Sequence, residues 1–444
     1  MPDRLDLLDD MLARAKRAGA DAADAVFVSS ASLSVAQRMG RSEGIERSES
    51  GDLGLRVFIG KHQAMASSTD LSPAGLTRLA EQVLAMARAA PDDPWSGLAD
   101  AAALATTVPD LDIAEAGEPT PEHLLELAAA AEDAARAVKG VTNSEGGEAG
   151  WSRREISLAA SNGFRGAYAV TSHGLSASVI AGSGTAMERD YDYSSATHAA
   201  DLLDAATIGR CAGERAVRRL NPRKAATARV PVVFENRLAG RLLSALAGAI
   251  SGPSIARGTS FLKTALGTEV FAPAITIIDD PHRRRGLRSK PFDGEGVANG
   301  RRAIIDKGVL TSWLLDSTSA RQLGLATTGH AARGTSSPPS PSPTNFYMEA
   351  GTQSFDDLIG DIKQGLLVTD LMGMGVNGVT GDYSQGAAGF WIENGVLAYP
   401  VSEITIASNL KDMYRALTAG SDLVFRSGMD APSLRIEGMT VAGK

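Results

Sequence analysis

From Trp391 to Leu397 the chain reads W-I-E-N-G-V-L, and from Ile304 to Leu310 it reads I-I-D-K-G-V-L. Each segment sets a glycine turn between apolar flanks, the pattern of an antiparallel hairpin. Asn394-Gly395 is the pair a two-residue type I′ turn prefers, because both central residues need positive φ. The shared G-V-L spans too few residues for an internal repeat, and common turn chemistry accounts for it. Around these hairpins the second half of the chain reads as rich in sheet. V-P-V-V-F (Val230 to Phe234) is a further strand, and G-R-L-L-S-A-L-A-G-A-I-S-G (Gly240 to Gly252) an apolar helix. From Thr335 to Thr344, T-S-S-P-P-S-P-S-P-T is too proline-rich to donate ladder hydrogen bonds and is expected to be an extended loop. Loops of that length in compact domains are usually functional or disordered.

The first half reads differently. Leu5, Leu8, Met11, Leu12 and Ala15 recur at helical spacing, so an amphipathic helix opens the chain and ends near Gly19. Strand candidates follow at Ala25 to Ser29, Leu33 to Arg38, Leu55 to Ile59 and Gln63 to Ser67. Ser72-Pro73 and Thr120-Pro121 each announce a helix, with a hydroxyl at the N-cap and proline where its missing N–H costs nothing. Ile156 to Ala159, Gly166 to Ser172 and Leu175 to Ala181 alternate as strands do, and a helix from about Asp201 to Leu220 closes this half. Asn221-Pro222 is a turn signal that places a domain boundary there, giving domains of residues 1–221 and 222–444. Two domains also suit 444 residues, more than one ordinary core accommodates.

Composition excludes several classes. The chain carries 44 basic and 52 acidic side chains, a formal charge of −8 that opposes nucleic-acid binding. Two local basic groups stand out. Arg283, Arg284, Arg285, Arg288 and Lys290 are expected to form a solvated loop. Arg215, Arg218, Arg219, Arg223 and Lys224 are expected to complement a helix dipole. The N-terminal sequence lacks the basic and apolar regions of a signal peptide, and no stretch approaches the roughly 20 apolar residues that span a bilayer. A single cysteine, Cys211, excludes an intramolecular disulfide framework and suits a reducing compartment, so a cytoplasmic location is expected.

Catalytic chemistry is sparse. A zinc hydrolase needs several nitrogen or carboxylate ligands on one face and a carboxylate to take a proton. Of six histidines, none has another within five positions. His123 falls in the first turn of a helix, and His198 begins or precedes the next one. D-D-P-H (Asp279 to His282) reads as an Asp-Pro turn rather than a metal site. Ser244 lies in the apolar helix with no nucleophile elbow around it, so it reads as a packing residue. F-D-G-E-G (Phe292 to Gly296) sets Asp293 and Glu295 two apart; a turn with solvated carboxylates is expected, with an acid pair as the alternative.

The motifs L-N-P-R-K (Leu220 to Lys224), R-G-T-S-F (Arg257 to Phe261), D-D-P (Asp279 to Pro281), K-P-F-D-G-E-G-V (Lys290 to Val297), S-P-S-P-T-N-F (Ser340 to Phe346) and V-N-G-V-T-G-D-Y-S-Q-G-A-A-G-F-W-I-E-N-G (Val376 to Gly395) resemble, in order and spacing, the TldD/PmbA family of peptidases, PmbA (TldE) branch. G-L-R-V (Gly54 to Val57) and R-D-Y-D-Y (Arg189 to Tyr193) also look like family segments. The resemblance implies an α+β fold of two domains, N-terminal helices on a mixed sheet and a C-terminal curved, mostly antiparallel sheet with helices. In the TldD branch the helix carries a zinc-binding His-Glu-x-x-x-His, and Ser244, Ala245 and Ala249 stand at those places here. A cysteine near the C-terminus is a further ligand in that branch, and Ser421 to Lys444 contains neither cysteine nor histidine.

The resemblance therefore implies a non-catalytic subunit. It binds no cofactor of its own, with zinc in a TldD-type partner; the partner and this chain form a heterodimer that cleaves unfolded or small peptides in the cytoplasm. A homodimer is the second assembly it allows. Extended peptides are expected to thread between subunits by strand addition, with Pro339, Pro341, Pro343 and Asn345 bordering their path. Two other readings stand beside this one: an autonomous hydrolase built on Asp293, Glu295 or His330, and a homodimeric peptide-binding or DNA gyrase-modulating protein without enzymatic activity.

Overall fold

The computed structural model describes residues 4–373 and 375–443. In the first half the elements run α1 (Arg4–Ala18), β1 (Ala22–Arg38), β2 (Arg41–Ile59), β3 (His62–Ser68), α2 (Pro73–Ala89), α3 (Pro121–Arg136), β4 (Val141–Ala160), β5 (Arg165–Ala181), β6 (Glu188–Ala196) and α4 (Ala205–Arg218). Both hydroxyl caps form: Ser72 Oγ accepts from the Gly75 N–H, and Thr120 Oγ1 from that of His123. The two strand windows expected between Ala25 and Arg38 are one strand, as are those between Gly166 and Ala181. Serine, alanine and glycine between the windows lack strand propensity, but pairing with a neighbour on each side keeps them extended.

The six strands lie in the order β3-β2-β1-β4-β5-β6. The α+β class holds, but every pair in this sheet is antiparallel, so it is not mixed. Side-chain alternation then assigns the two faces. Odd-numbered Phe27, Leu53, Leu55 and Val57 meet α1 and α2, while Leu33, Trp151, Leu175 and Val179 meet α3 and α4. Each such side chain contributes roughly 1.5–3 kcal/mol on burial. The opposite face, with Asp24, Val26, Arg56 and Leu158, is left for the second half of the chain to cover.

That half contains β7 (Ala228–Phe234), α5 (Asn236–Ala249), β8 (Ile277–Asp279), β9 (Arg302–Asp306), β10 (Val309–Leu310), β11 (Ala331–Ala332), β12 (Ser340–Pro341), β13 (Phe346–Met348), β14 (Gln364–Met372), β15 (Asp382–Glu393), β16 (Val396–Asn409), β17 (Leu417–Ala419), β18 (Met429–Asp430) and β19 (Leu434–Ala442). Strands β16-β15-β14-β7-β19 pair in that order, and β19 pairs back onto β16 (Thr405 opposite Ala442), closing a barrel. Its interior holds Val232, Phe234, Leu366, Ile404, Ile406 and Ile436, against which α5 packs Leu242, Leu243 and Leu246. A second sheet, β10-β9-β8-β13-β18, flanks it.

Both hairpin readings are met: Asn394 and Gly395 have φ of 50° and 78°, and Lys307 and Gly308 have 46° and 86°. The proline-rich segment is the loop expected, except for a short pairing near its end. Ser340–Pro341 pairs with Ala331–Ala332, and Ser342 N–H donates to the His330 carbonyl at 2.9 Å. Serines between the prolines supply the donors the prolines lack.

Candidate functional site

On α5, Ser244 faces outward, Ala245 is half-buried and Ala249 lies in the core. Ser244 Oγ donates to the Gly240 carbonyl at 3.2 Å and contacts Met429 Sδ at 2.7 Å. The final segment thus crosses beside Ser244, and it brings a thioether there. Sequence reasoning looked in that segment for cysteine and histidine and passed over Met429. A hydroxyl, two methyl groups and one thioether do not fit zinc, which takes imidazole, thiolate and carboxylate ligands. Among the described residues no three His, Cys, Asp or Glu side chains converge as a metal site.

The proline segment folds against the β8 and β13 end of the second sheet. Asp279 accepts from both the N–H (2.6 Å) and the hydroxyl (2.7 Å) of Thr344, and lies 3.2 Å from His330 Nε2. Asn345 is buried, and its amide group is committed within the chain: Nδ2 donates to the Asp280 carbonyl and Ser289 Oγ, and Oδ1 accepts from the Arg288 N–H. Pro339, Pro341 and Pro343 are half-buried. His282 sits in the Asp-Pro turn, its N–H donating to Asp280 and its ring to or from Asn299.

Asp293 and Glu295 are not solvated; they are 1% and 4% exposed. The loop that carries them is pressed against the uncovered face of the first sheet, which excludes water from both. Asp293 accepts the N–H groups of Glu295, Val297 and Ala331, and burial raises its carboxyl above the usual range. Glu295 accepts from the Ser317 N–H at 2.8 Å, while its other oxygen has no hydrogen bond and stands 3.9 Å from Arg56. Burial pushes its pKa up to about 7 against the pull of Arg56.

Beside them, Asp24 of β1 binds Arg56 of β2 and Arg333, each at 2.5 Å, with all three side chains nearly inaccessible. Burial acts to raise the Asp24 carboxyl, but Arg333 and Arg56 outweigh it and hold it below the usual range. The two halves are therefore joined through a buried ionic cluster. Sequence reading found Asp293 and Glu295 but missed Asp24, Arg56 and Arg333. The available signal was G-L-R-V, an arginine inside an apolar strand, where an unpaired charge is costly.

Most members of the two basic groups are also tied down. Arg285 binds Asp112 (2.7 Å) and Asp201, Arg284 binds Asp112, Arg283 lies over the Phe425 ring, and Lys290 donates to the Ala331 carbonyl. The solvated loop expected from sequence is met at Arg284, Arg285 and Arg288, which are exposed, but acids distant in the chain meet Arg284 and Arg285, so the loop is also a brace. In the second group, Arg215 pairs with Asp192, Arg219 with Asp370 and Lys224 with Glu403. R-D-Y-D-Y supplies Asp190 and Asp192, and Asp190 also binds Arg237 on α5.

Next to the ionic cluster lies a cleft of about 510 Å³ between the sheet and the loops near residues 287–294 and 331–335. Its floor is apolar, from Val26, Ile156, Leu158, Tyr168 and Phe292, the last two in edge-to-face contact at 5.3 Å. Arg154, Arg288 and Lys290 line it as well. Apolar walls with a few convergent polar groups are the usual form of a binding site. A shallower trough of about 620 Å³, lined by Ser34, Gly150, Gly174 and Ser176, lies further along the same sheet and gathers no such cluster.

Comparison with known proteins places these features. Residues 23–87, 114–220 and 227–443 match the models of domain 1, the central domain and the C-terminal domain of the PmbA/TldA metallopeptidases. The chain is 42% identical to the metalloprotease PmbA of Escherichia coli O157:H7, across 96% of this chain and 93% of that protein. Among solved structures, a protein of Bacteroides thetaiotaomicron described as a candidate modulator of DNA gyrase superposes with a TM-score of 0.92 at 29% identity, over 100% of both chains. TldE of Thermococcus kodakarensis has the same fold, with a TM-score of 0.87 at 20% identity over 98% of this chain and 100% of that one.

Proposed function

This chain belongs to the PmbA/TldD metallopeptidase family, and we propose that within it the protein is the subunit without a metal site, pairing with a zinc-bearing TldD-type chain. The observation that carries this reading is the α5 face: a helix in a metallopeptidase fold that offers Ser244, Ala245 and Ala249 where ligands would be needed, with Met429 as its neighbour. What this chain contributes is shape and binding surface. Its cleft and uncovered sheet face would wall the path of an extended peptide, and the zinc would supply its chemistry from the partner.

The retained polar groups support that role over an autonomous hydrolase. Asp293 is saturated by three backbone donors, His330 is closed off against Asp279 and Thr328, and Glu295 is sealed in the ionic cluster. None is presented to a substrate as a base must be. Work in the cytoplasm on unfolded or small peptides fits a chain with one cysteine and, among the described residues, no helix long and apolar enough to cross a membrane. Elemental analysis of the purified chain after dialysis against a chelator tests the reading: no stoichiometric zinc and no peptide hydrolysis are expected, and one retained zinc per chain would overturn it.

A further inference from the structure

The cleft that faces the sheet carries more positive charge than its own acids neutralise. Of the four cations that line it, Arg333 is bound to Asp24 and Lys290 to the Ala331 carbonyl. Arg154 and Arg288 make no side-chain hydrogen bond or ion pair among the described residues. Of the two acids, Asp52 accepts from the Thr335 hydroxyl and Asp293 from three backbone N–H groups. Both acids therefore already have partners, while two guanidiniums do not.

Arg154 projects from β4 on the even-numbered face that also carries Ile156 and Leu158, so cation and apolar floor share one surface. Arg288 comes from the opposite wall, the loop that Asn345 and Ser289 hold in place. Beyond it, the Lys290 ammonium is pushed below the ordinary lysine range, first by burial and also by the charge of Arg288, while Asp293 and Asp279 oppose the shift. Like charges kept this close are stabilised when an anion enters between them. An anion that carries an apolar group would meet both these cations and the pocket floored by Val26, Leu158, Tyr168 and Phe292.

We propose that this cleft receives the free C-terminal end of a peptide, its carboxylate clamped by Arg154 and Arg288 and an apolar last side chain seated on the sheet. Guanidinium suits the task because its fork matches a carboxylate in a bidentate geometry. The backbone of an interior stretch has no charge to offer these groups, an N-terminal ammonium would be repelled, and an interior Asp or Glu carboxylate would bind the free acid and the C-terminal amide of a peptide alike. The inference deepens the proposed function by naming the part of the substrate that this subunit reads. It rests on that reading only in taking peptides as the ligand.

The test uses the purified chain alone. Isothermal titration calorimetry compares a tetrapeptide ending in leucine as the free acid, the same peptide as its C-terminal amide, and the acid with an acetylated N-terminus. The acid and its acetylated form are expected to bind alike, and the amide at least about 10-fold more weakly, the range of one charge-assisted contact pair. The variant Arg154→Ala combined with Arg288→Ala should weaken acid binding about 10-fold or more and abolish the acid–amide difference, with circular dichroism reporting an intact fold. Arg154→Ala alone, at an exposed position, gives the same comparison if the double variant misfolds. Equal binding of acid and amide, loss of binding on N-acetylation, or no binding of any peptide would each overturn the proposal. Because no catalytic partner is present, these outcomes are separate from whether the chain assembles with one.

Discussion

Gly54 lies directly beneath Thr335: a methyl group on its α-carbon would stand 2.2 Å from the Thr335 carbonyl oxygen. The strand and the loop belong to different halves of the chain, 281 positions apart by the two residue numbers, 335 less 54. Two residues on from Gly54, Arg56 enters the buried ionic cluster, and two residues before Thr335, Arg333 does the same. The close approach and the cluster are parts of one joint, which also forms the rim of the cleft.

Gly54→Ala should therefore disturb the joint without touching the barrel. The displaced atom is backbone, so the cost belongs to overpacking at roughly 1–3 kcal/mol. Chemical denaturation reads it, and a variant as stable as the parent would show that the loop gives way freely.

The ionic cluster predicts non-additivity. Arg333→Met alone leaves the buried Asp24 oxygen that faced Arg333 without its partner, and loss of one partner from such a cluster costs about 3–5 kcal/mol. Arg333→Met with Asp24→Asn removes a cation and an anion together and should cost clearly less than the two single losses summed. Additive values in a double-mutant cycle would contradict the coupling.

Glu295 makes stability depend on pH in a stated direction. Its pKa is raised to about 7 in the folded chain from an ordinary 4.5, so the folded state holds the proton more tightly than the unfolded one. Stability is then lost as pH rises through that window, by up to roughly 3 kcal/mol. Glu295→Gln keeps an acceptor for the Ser317 N–H and removes the charge, so its stability relative to the parent should be greater at pH 8 than at pH 5. An unchanged difference between the two pH values would mean that Glu295 is ionised throughout.

Much of the architecture was legible because it is locally encoded. Ser72 and Thr120 announced their helices, and Asn394-Gly395 its hairpin, through chemistry confined to a few residues. The cleft was not legible, since its members are brought together only by docking of the two halves. Asp293 and Glu295 looked solvated because glycines flank them, and nothing nearby in sequence reveals that β1 and β2 cover them. Arg56 was the readable warning, a cation among Leu55, Val57 and Phe58 that needs a buried partner. Asn345 could be recognised as a hydrogen-bonding residue, but sequence does not reveal that Asp280, Ser289 and Arg288 already occupy it.

The proline segment offers a functional test of the peptide path. Replacing Pro339, Pro341 and Pro343 by serine frees the backbone between β11 and β13 and raises the ordering cost of binding. Cleavage by the assembled pair should slow several-fold through KM with the fold retained by circular dichroism. Unchanged turnover would place the segment outside the path.

The claim on which the rest depends is that this chain acts through a metal-bearing partner. Co-expression with a TldD-type chain containing His-Glu-x-x-x-His, followed by size-exclusion chromatography and a peptide-cleavage assay of the complex and of each chain alone, measures it directly. A stable complex is expected, with zinc only in the partner and with cleavage that neither chain performs separately. Full-rate cleavage by the partner alone, or cleavage by this chain without any partner, would contradict the account.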